Sequence, residues 1–313
     1  MSRAFVFPGQ GSQAVGMGKD LAEAFAPARL VFEEVDEALK QNLSRLMFDG
    51  PDEALTLTEN AQPALMAVSL AVMAVLREEG GVTVGDACRF VAGHSLGEYS
   101  ALAAAGTFSV ADTARLLKIR GQAMQKAVPV GEGAMAALLG LNLEDAAAVT
   151  EEAAQGEICT TANDNAPGQV VVSGAKAAVE RAIEIASGRG ARRAVLLPVS
   201  APFHCALMAP AADIMADALS EVRLAAPAVP VIANVVAAPV GDPIEIHSLL
   251  IEQVTGMVRW REGVLRMKEE GVDTLVELGT GKVLTGLTRR IDKELTGVAV
   301  NTPDDIEQFL KTV

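Results

Sequence analysis

The sequence is short of residues on which several kinds of protein depend. Aromatics make up 4% of its 313 residues, with one Trp, one Tyr and nine Phe, so Ala, Val, Leu and Met must fill most of the interior. Cations are outnumbered, 26 Lys and Arg against 40 Asp and Glu, for a net charge of −14. That balance excludes a general nucleic-acid binder, because a phosphate backbone demands a surplus of cations. Any anionic ligand must instead be met by a few well-placed ones. The three cysteines, Cys88, Cys159 and Cys205, are an odd number and fit a reduced, cytoplasmic protein without disulfides. Met1 to Arg3 leads straight into a strand-like run, so no signal peptide is expected. Three His and three Cys show no H-E-x-x-H or C-x-x-C spacing, and no metal site is expected. Long hydrophobic runs are missing too. The longest, ALMAVSLAVMAVL at 64–76, is too short for a bilayer span and ends in Arg77-Glu78-Glu79. Pro63 suits a first helical turn and Gly80-Gly81 a stop, which predicts a helix buried nearly all round in a soluble protein with no membrane partner.

What is present is an alternation of strands and helices. Over the first 125 residues it includes a strand at 89–93, a helix at 96–105 ended by Gly106, and a helix at 110–126 opened by the capping box SVAD, 109–112. This pattern predicts a parallel sheet covered by helices. Composition changes near VPVGEG, 128–133. From there the order is strand (134–140), helix (143–154), strand (157–162), strand (169–173), helix (175–187), strand (193–199), the βαββαβ ferredoxin-like unit. Strand-like runs return at 229–235 and 274–279. The expected class is α/β: a large α/β-hydrolase-like domain with a parallel sheet, residues 1–127 and 200–313, and an inserted smaller ferredoxin-like subdomain, 128–199.

The segment AFVFPGQGSQAVG, 4–16, raises a question, because Gly9, Gly11 and Ala14 satisfy a loose dinucleotide fingerprint. A dinucleotide fold needs a second strand about 20 residues later, with an acid at its end. Residues 20–41 read as helical instead, with Glu33 and Glu34 on a solvated face, so the loop is not expected to hold a pyrophosphate.

GHSLG, 93–97, matches G-x-S-x-G, in which a strand, a tight turn and a helix push a serine hydroxyl out at the strand end. The helix start leaves free N–H groups, notably that of Leu96, to face an oxyanion. The plain alternative is a serine in an ordinary turn, since so short a pattern recurs by chance. A serine nucleophile needs a base, and only His94, His204 and His247 are available. His94 adjoins the serine and suits packing or hydrogen bonding, and His247 suits a surface or cap. His204 lies in the proline-marked loop SAPFHCALMAP, which makes it the best base by elimination. Arg120 falls on the apolar stripe of Leu116, Leu117 and Met124. It is either an arginine with a packed stem, or a fork presented to a ligand carboxylate.

Taken together, the blocks FVFPGQGSQAVGMG, TENAQPAL (58–65), GHSLGEYSAL (93–102), KIRGQAMQ (118–125), NAPGQVVVSG (165–174), SAPFHCALM (200–208) and ELGTGKVLTGL (277–287) resemble, in order, the malonyl-CoA:acyl-carrier-protein transacylases. The resemblance spans almost the whole chain. It implies Ser95 as the nucleophile that accepts malonyl, His204 as its base, and Arg120 as the partner of the malonate carboxylate. It implies that Gln253 supports His204 through a backbone carbonyl, and that the N–H groups of Gln10 and Leu96 form the oxyanion hole. The opening glycines then serve a transient alkoxide, not a phosphate. Phe203 is similar to the bulky residue of malonyl-selective members, Asn163 and Asn165 match positions near bound CoA, and Met124 and His94 complete the implied substrate contacts. Asp164 stands where an aromatic residue is expected. The implied partners are malonyl-CoA and holo acyl carrier protein, acting on a cytoplasmic monomer with no cofactor and no metal. Arg189, Arg192, Arg193, Lys282, Arg289 and Arg290 are the cations available to offset the global charge. Two rivals remain: a serine esterase of the α/β-hydrolase type, which lacks its HGGG-like loop here, and a carrier-binding subunit without activity.

Overall fold

The computed structural model describes residues 2–199 and 201–313. Met1 lies outside the described residues, as does Ser200, where the second stretch of the large domain is expected to begin.

The larger sheet has six strands in the order β10-β9-β1-β2-β7-β8. They are β1 (Arg3–Phe7), β2 (Phe90–Gly93), β7 (Val231–Ala233), β8 (Ala238–Val240), β9 (Thr274–Leu278) and β10 (Thr296–Val300). β10, β9, β1, β2 and β7 run parallel, and only the β7–β8 pair is antiparallel. Apart from Arg3, the central strands β1, β2 and β9 are buried along their length, as strands in a sheet covered on both faces should be. All the carboxyl ends of its parallel strands therefore open on one side, and Phe7, paired with Gly93, brings the ends of β1 and β2 together there.

The smaller sheet is antiparallel, with strands β3 (Gly133–Leu139), β4 (Cys159–Ala166), β5 (Gln169–Ala175) and β6 (Arg193–Leu196) in the order β4-β5-β3-β6. With its two helices, Leu143–Ala154 and Lys176–Gly188, this is the ferredoxin-like order, and it has its own apolar core of mostly Ala, Val and Leu. β4 runs four residues past its expected end and carries Asn163, Asp164 and Asn165 within the strand, over two register shifts. The reason is tertiary. The Asp164 N–H donates to the carbonyl of Val258, and the Val258 N–H donates to that of Ala162, so a segment from the larger unit extends the ladder. The Asp164 carboxylate, 1% exposed, is paired with Arg261 at 2.8 Å. An aromatic side chain there would leave Arg261 without that partner.

Two local expectations change. The apolar helix spans Thr58–Gly80, starting five residues before Pro63, so the proline sits inside it and removes the donor that the Glu59 carbonyl would meet. By length and composition this helix could cross a membrane, yet 89% of its most apolar window is buried within the protein. At the other site, Ser109 caps the helix Val110–Lys126 through the Asp112 N–H, while the Asp112 carboxylate accepts from the Ser109 hydroxyl rather than reaching back to the backbone.

The Asp164–Arg261 pair generates a prediction. Burial raises the Asp164 carboxyl above its ordinary value, with Arg261 opposing the shift. In Arg261→Met the carboxylate is left buried and unpaired, for an expected loss of about 3 kcal/mol at neutral pH. Urea unfolding at pH 7 and at pH 5 checks this, and the deficit should shrink at the lower pH as Asp164 takes a proton.

Candidate active site

β2 ends at Gly93, and the helix Gly97–Ala104 begins four residues on. Between them Ser95 has φ of 54°, a left-handed conformation that a serine adopts only where its surroundings impose it. Both glycines of the motif have a steric reason. A Cβ at Gly93 would lie 1.9 Å from the Gly97 carbonyl, and one at Gly97 would lie 2.2 Å from the Phe7 carbonyl oxygen. The turn is held on three sides by side chains. The Asn234 amide accepts from the Ser95 N–H at 2.8 Å and donates to the Gly93 carbonyl at 2.7 Å, while Gln253 Nε2 donates to the Ser95 carbonyl at 2.9 Å.

The structure brings Ser95 and His204 together: Oγ lies 2.8 Å from Nε2. His204 also has a left-handed backbone, with φ of 58°. Its Nδ1 lies 2.9 Å from the backbone carbonyl of Gln253. A carbonyl only accepts, so Nδ1 carries the hydrogen and the neutral ring presents Nε2 as an acceptor to the serine hydroxyl. Burial, and then the charge of Arg120, push the His204 ring down to about 3, against the hydrogen bond to Gln253. The ring is therefore neutral at physiological pH, with Nε2 free to accept from the serine hydroxyl.

Arg120 is 1% exposed. Its Nη1 donates to Gln62 Oε1 at 2.8 Å, and its Nη2 donates to Gln253 Oε1 at 2.8 Å and to Ser95 Oγ at 3.2 Å. Its Nε has no partner, and among the described residues no carboxylate lies within ion-pair distance of it. The Tyr99 ring sits 5.7 Å from the guanidinium carbon. A buried cation without an anion is costly, and this one faces a cavity. The cavity, of about 570 Å³, is lined by Gln10, Ser95, Leu96, Arg120, Met124 and His204 from one side and by Met135, Asn163 and Leu197 from the other, with Phe203, 8% exposed, among its walls. Among the described residues no partner is found for the N–H groups of Gln10 and Leu96, which border it.

The remaining residues singled out in the sequence divide. His94 touches the cavity, but its Nε2 pairs with Asn165 Oδ1 at 2.8 Å and its ring tilts against Trp260. Asn165 thus anchors His94 and does not line the cavity, and Gln253 lies fully buried beneath it. His247 is half-buried on the helix Pro243–Thr255, apart from the site. Of the surface cations, Arg189 pairs with Glu152 and Arg290 donates to Gln169. Among the described residues no group of three His, Cys, Asp or Glu is placed to hold a metal ion.

Sequence reasoning missed Gln62, Asn234 and Glu98. Gln62 stood in the block TENAQPAL, Asn234 was hidden in a strand-like run, and Glu98 stood unremarked in the block GHSLGEYSAL. Yet Glu98 is 2% exposed. Burial pushes its carboxyl up to about 7, opposed by hydrogen bonds from Gln253 and Asn234 and by the charge of Arg120.

Residues 4–302 match the family model described as the acyl transferase domain. The chain is 47% identical over 308 residues to the malonyl CoA-acyl carrier protein transacylase of Escherichia coli strain K12, covering 98% of each. It is similar to the crystal structure of acyl-carrier-protein-S-malonyltransferase from Bartonella henselae, with a TM-score of 0.97, 59% identity, and coverage of 100% of this chain and 99% of that one. It is also similar, at 44% identity and a TM-score of 0.96 over the whole of both chains, to a malonyl-transacylase solved in complex with a type II PKS acyl-carrier protein.

The His204 environment has a measurable consequence. Its folded value lies below the unfolded 6.5, so the stability it contributes is present above pH 6.5 and is lost as pH falls towards 3. In an NMR titration the His204 ring should remain neutral at pH 5, and Arg120→Gln should move its midpoint upward.

Proposed function

Because the chain belongs to the acyl transferase family, we propose that it transfers malonyl groups from malonyl-CoA to the phosphopantetheine thiol of acyl carrier protein, supplying fatty-acid synthesis. The observation that carries this reading is Arg120: a buried guanidinium without a carboxylate, in contact with the hydroxyl of Ser95. A malonyl thioester brings its own carboxylate to that charge and its carbonyl to that hydroxyl.

In the first half-reaction the Ser95 hydroxyl attacks the thioester carbonyl as His204 Nε2 takes its proton. The oxyanion that forms is held by the N–H groups of Gln10 and Leu96. Collapse of the tetrahedral adduct breaks the C–S bond, and His204 passes its proton to the departing CoA thiolate. In the second half-reaction His204 takes the proton of the carrier thiol, the thiolate attacks the malonyl ester, and collapse of the adduct breaks the C–O bond to Ser95, whose oxygen takes the proton back from His204. The Gln253 carbonyl steadies the imidazolium at each stage through Nδ1. Asn163 on the far wall meets the pantetheine arm, and His94 and Asn165 act through the shape of the turn. One copy of the chain holds every group invoked, so the reaction as written needs no second subunit, and none of its steps calls on a metal or redox cofactor. Hydrolysis of neutral esters is disfavoured by a cationic pocket floor.

Two measurements test this. Intact-protein mass after mixing with malonyl-CoA should show a malonyl adduct on wild type and none on Ser95→Ala, and holo acyl carrier protein should discharge it. An adduct lost to water and never passed to the carrier would mark a hydrolase, and no adduct at all a binding protein. Phe203→Val should raise loading from methylmalonyl-CoA relative to malonyl-CoA by about tenfold or more in a competition read by mass, the scale of one methyl group in a tight pocket.

A further inference from the structure

Glu98 takes no part in the steps above, yet its carboxylate is among the most deeply withdrawn in the protein. One of its oxygens, Oε2, accepts from Gln253 Nε2 at 2.8 Å and from the backbone N–H of Asn234 at 3.1 Å. These two partners reach the reacting serine by separate routes. Asn234 clamps the turn at the Ser95 N–H and the Gly93 carbonyl. Gln253 reaches the Ser95 carbonyl with the same Nε2, and with Oε1 it receives Arg120 Nη2.

The chemistry of the groups leaves the Gln253 amide one orientation. An ionised carboxylate only accepts and a guanidinium only donates, so an amide between them must turn its NH2 to Glu98 and its oxygen to Arg120. Turned over, it would set NH2 against guanidinium and oxygen against carboxylate, both without hydrogen bonds and both buried.

We propose that Glu98 is a positioning residue for acyl selection: its Oε2 orients the Gln253 amide, and through it aims Arg120 at the carboxylate of the incoming acyl group, while its bond to Asn234 holds the turn to the same frame. Glu98 touches neither substrate nor the reacting atoms. The inference rests on the reading of Arg120 as the seat of the malonyl carboxylate.

The test compares Glu98→Gln, Glu98→Asp and Glu98→Ala with wild type at pH 8, where the carboxylate is ionised. The readout is the ratio of kcat/KM for Ser95 acylation by malonyl-CoA to that by acetyl-CoA, which lacks the carboxylate. Gln keeps an acceptor oxygen at the same reach, Asp keeps the charge but falls short by a methylene, and Ala removes both. The expected result is a ratio within about threefold of wild type for Glu98→Gln, and a fall of about tenfold or more for Glu98→Asp and Glu98→Ala, chiefly through a higher KM for malonyl-CoA. A merely structural role would reduce both substrates alike and leave the ratio in place. Should Glu98→Ala fail to fold, the Gln and Asp variants decide. A folded Glu98→Asp with the wild-type ratio overturns the proposal, as does a folded Glu98→Gln that loses it. Wild type with no preference for malonyl-CoA overturns the reading of Arg120 itself, and this inference with it.

Discussion

A guanidinium withdrawn from water without a carboxylate beside it is the constraint around which this site is arranged. Arg120 must be satisfied by neutral oxygens, and Gln62, Gln253 and Ser95 provide them. Each of those residues is thereby fixed in turn. Gln253 can serve Arg120 only if its NH2 has acceptors, which are the Ser95 carbonyl and Glu98. Its backbone carbonyl meanwhile sets the tautomer of His204. One side chain therefore links the base, the nucleophile turn and the cation. The same positive charge helps to keep the His204 ring neutral, and an anionic acyl group that offsets that charge would raise the basicity of the ring.

The frame that carries these groups comes from two sheets of different kinds. The parallel sheet delivers Gln10 and Ser95 from the adjacent ends of β1 and β2, and the close approach of Gly97 to Phe7 joins those ends. The antiparallel sheet supplies the opposite wall through Met135 and Asn163. It is attached by main-chain hydrogen bonds between β4 and Val258 and by the Asp164–Arg261 pair. A cavity wall held by backbone hydrogen bonds to a segment of the larger unit is fixed more firmly than one on a free loop.

Much of this was legible in the chain because it was local. The βαββαβ order, the glycines around Ser95 and the apolar stripe bearing Arg120 are all spacing signals, and each maps onto the structure. His204 was reached by counting histidines. Resemblance to a known family then supplied roles that spacing alone left open for Arg120, Gln253 and Gln10. What could not be read were contacts whose partners lie far apart in sequence. Glu98 is 155 residues from Gln253, and Asn234 is 139 from Ser95, and nothing near either residue announces the pairing. The extent of β4 escaped for the same reason, since its last residues are ordered by a segment nearly a hundred positions away. Pro63 misled because a proline inside a helix and one in its first turn look alike until the start of the helix is known.

The contact between Arg120 Nη2 and Ser95 Oγ has a consequence for when the serine can react. Its oxygen donates to His204 Nε2 and accepts from the guanidinium, so one of its two lone pairs is engaged at rest. A ligand anion that draws Nη2 towards itself releases that lone pair. A water molecule, being neutral, competes for Nη2 more weakly than an anion does. The nucleophile thus shares its oxygen with the guanidinium proposed to seat the acyl carboxylate, and an anion bound there lessens that sharing.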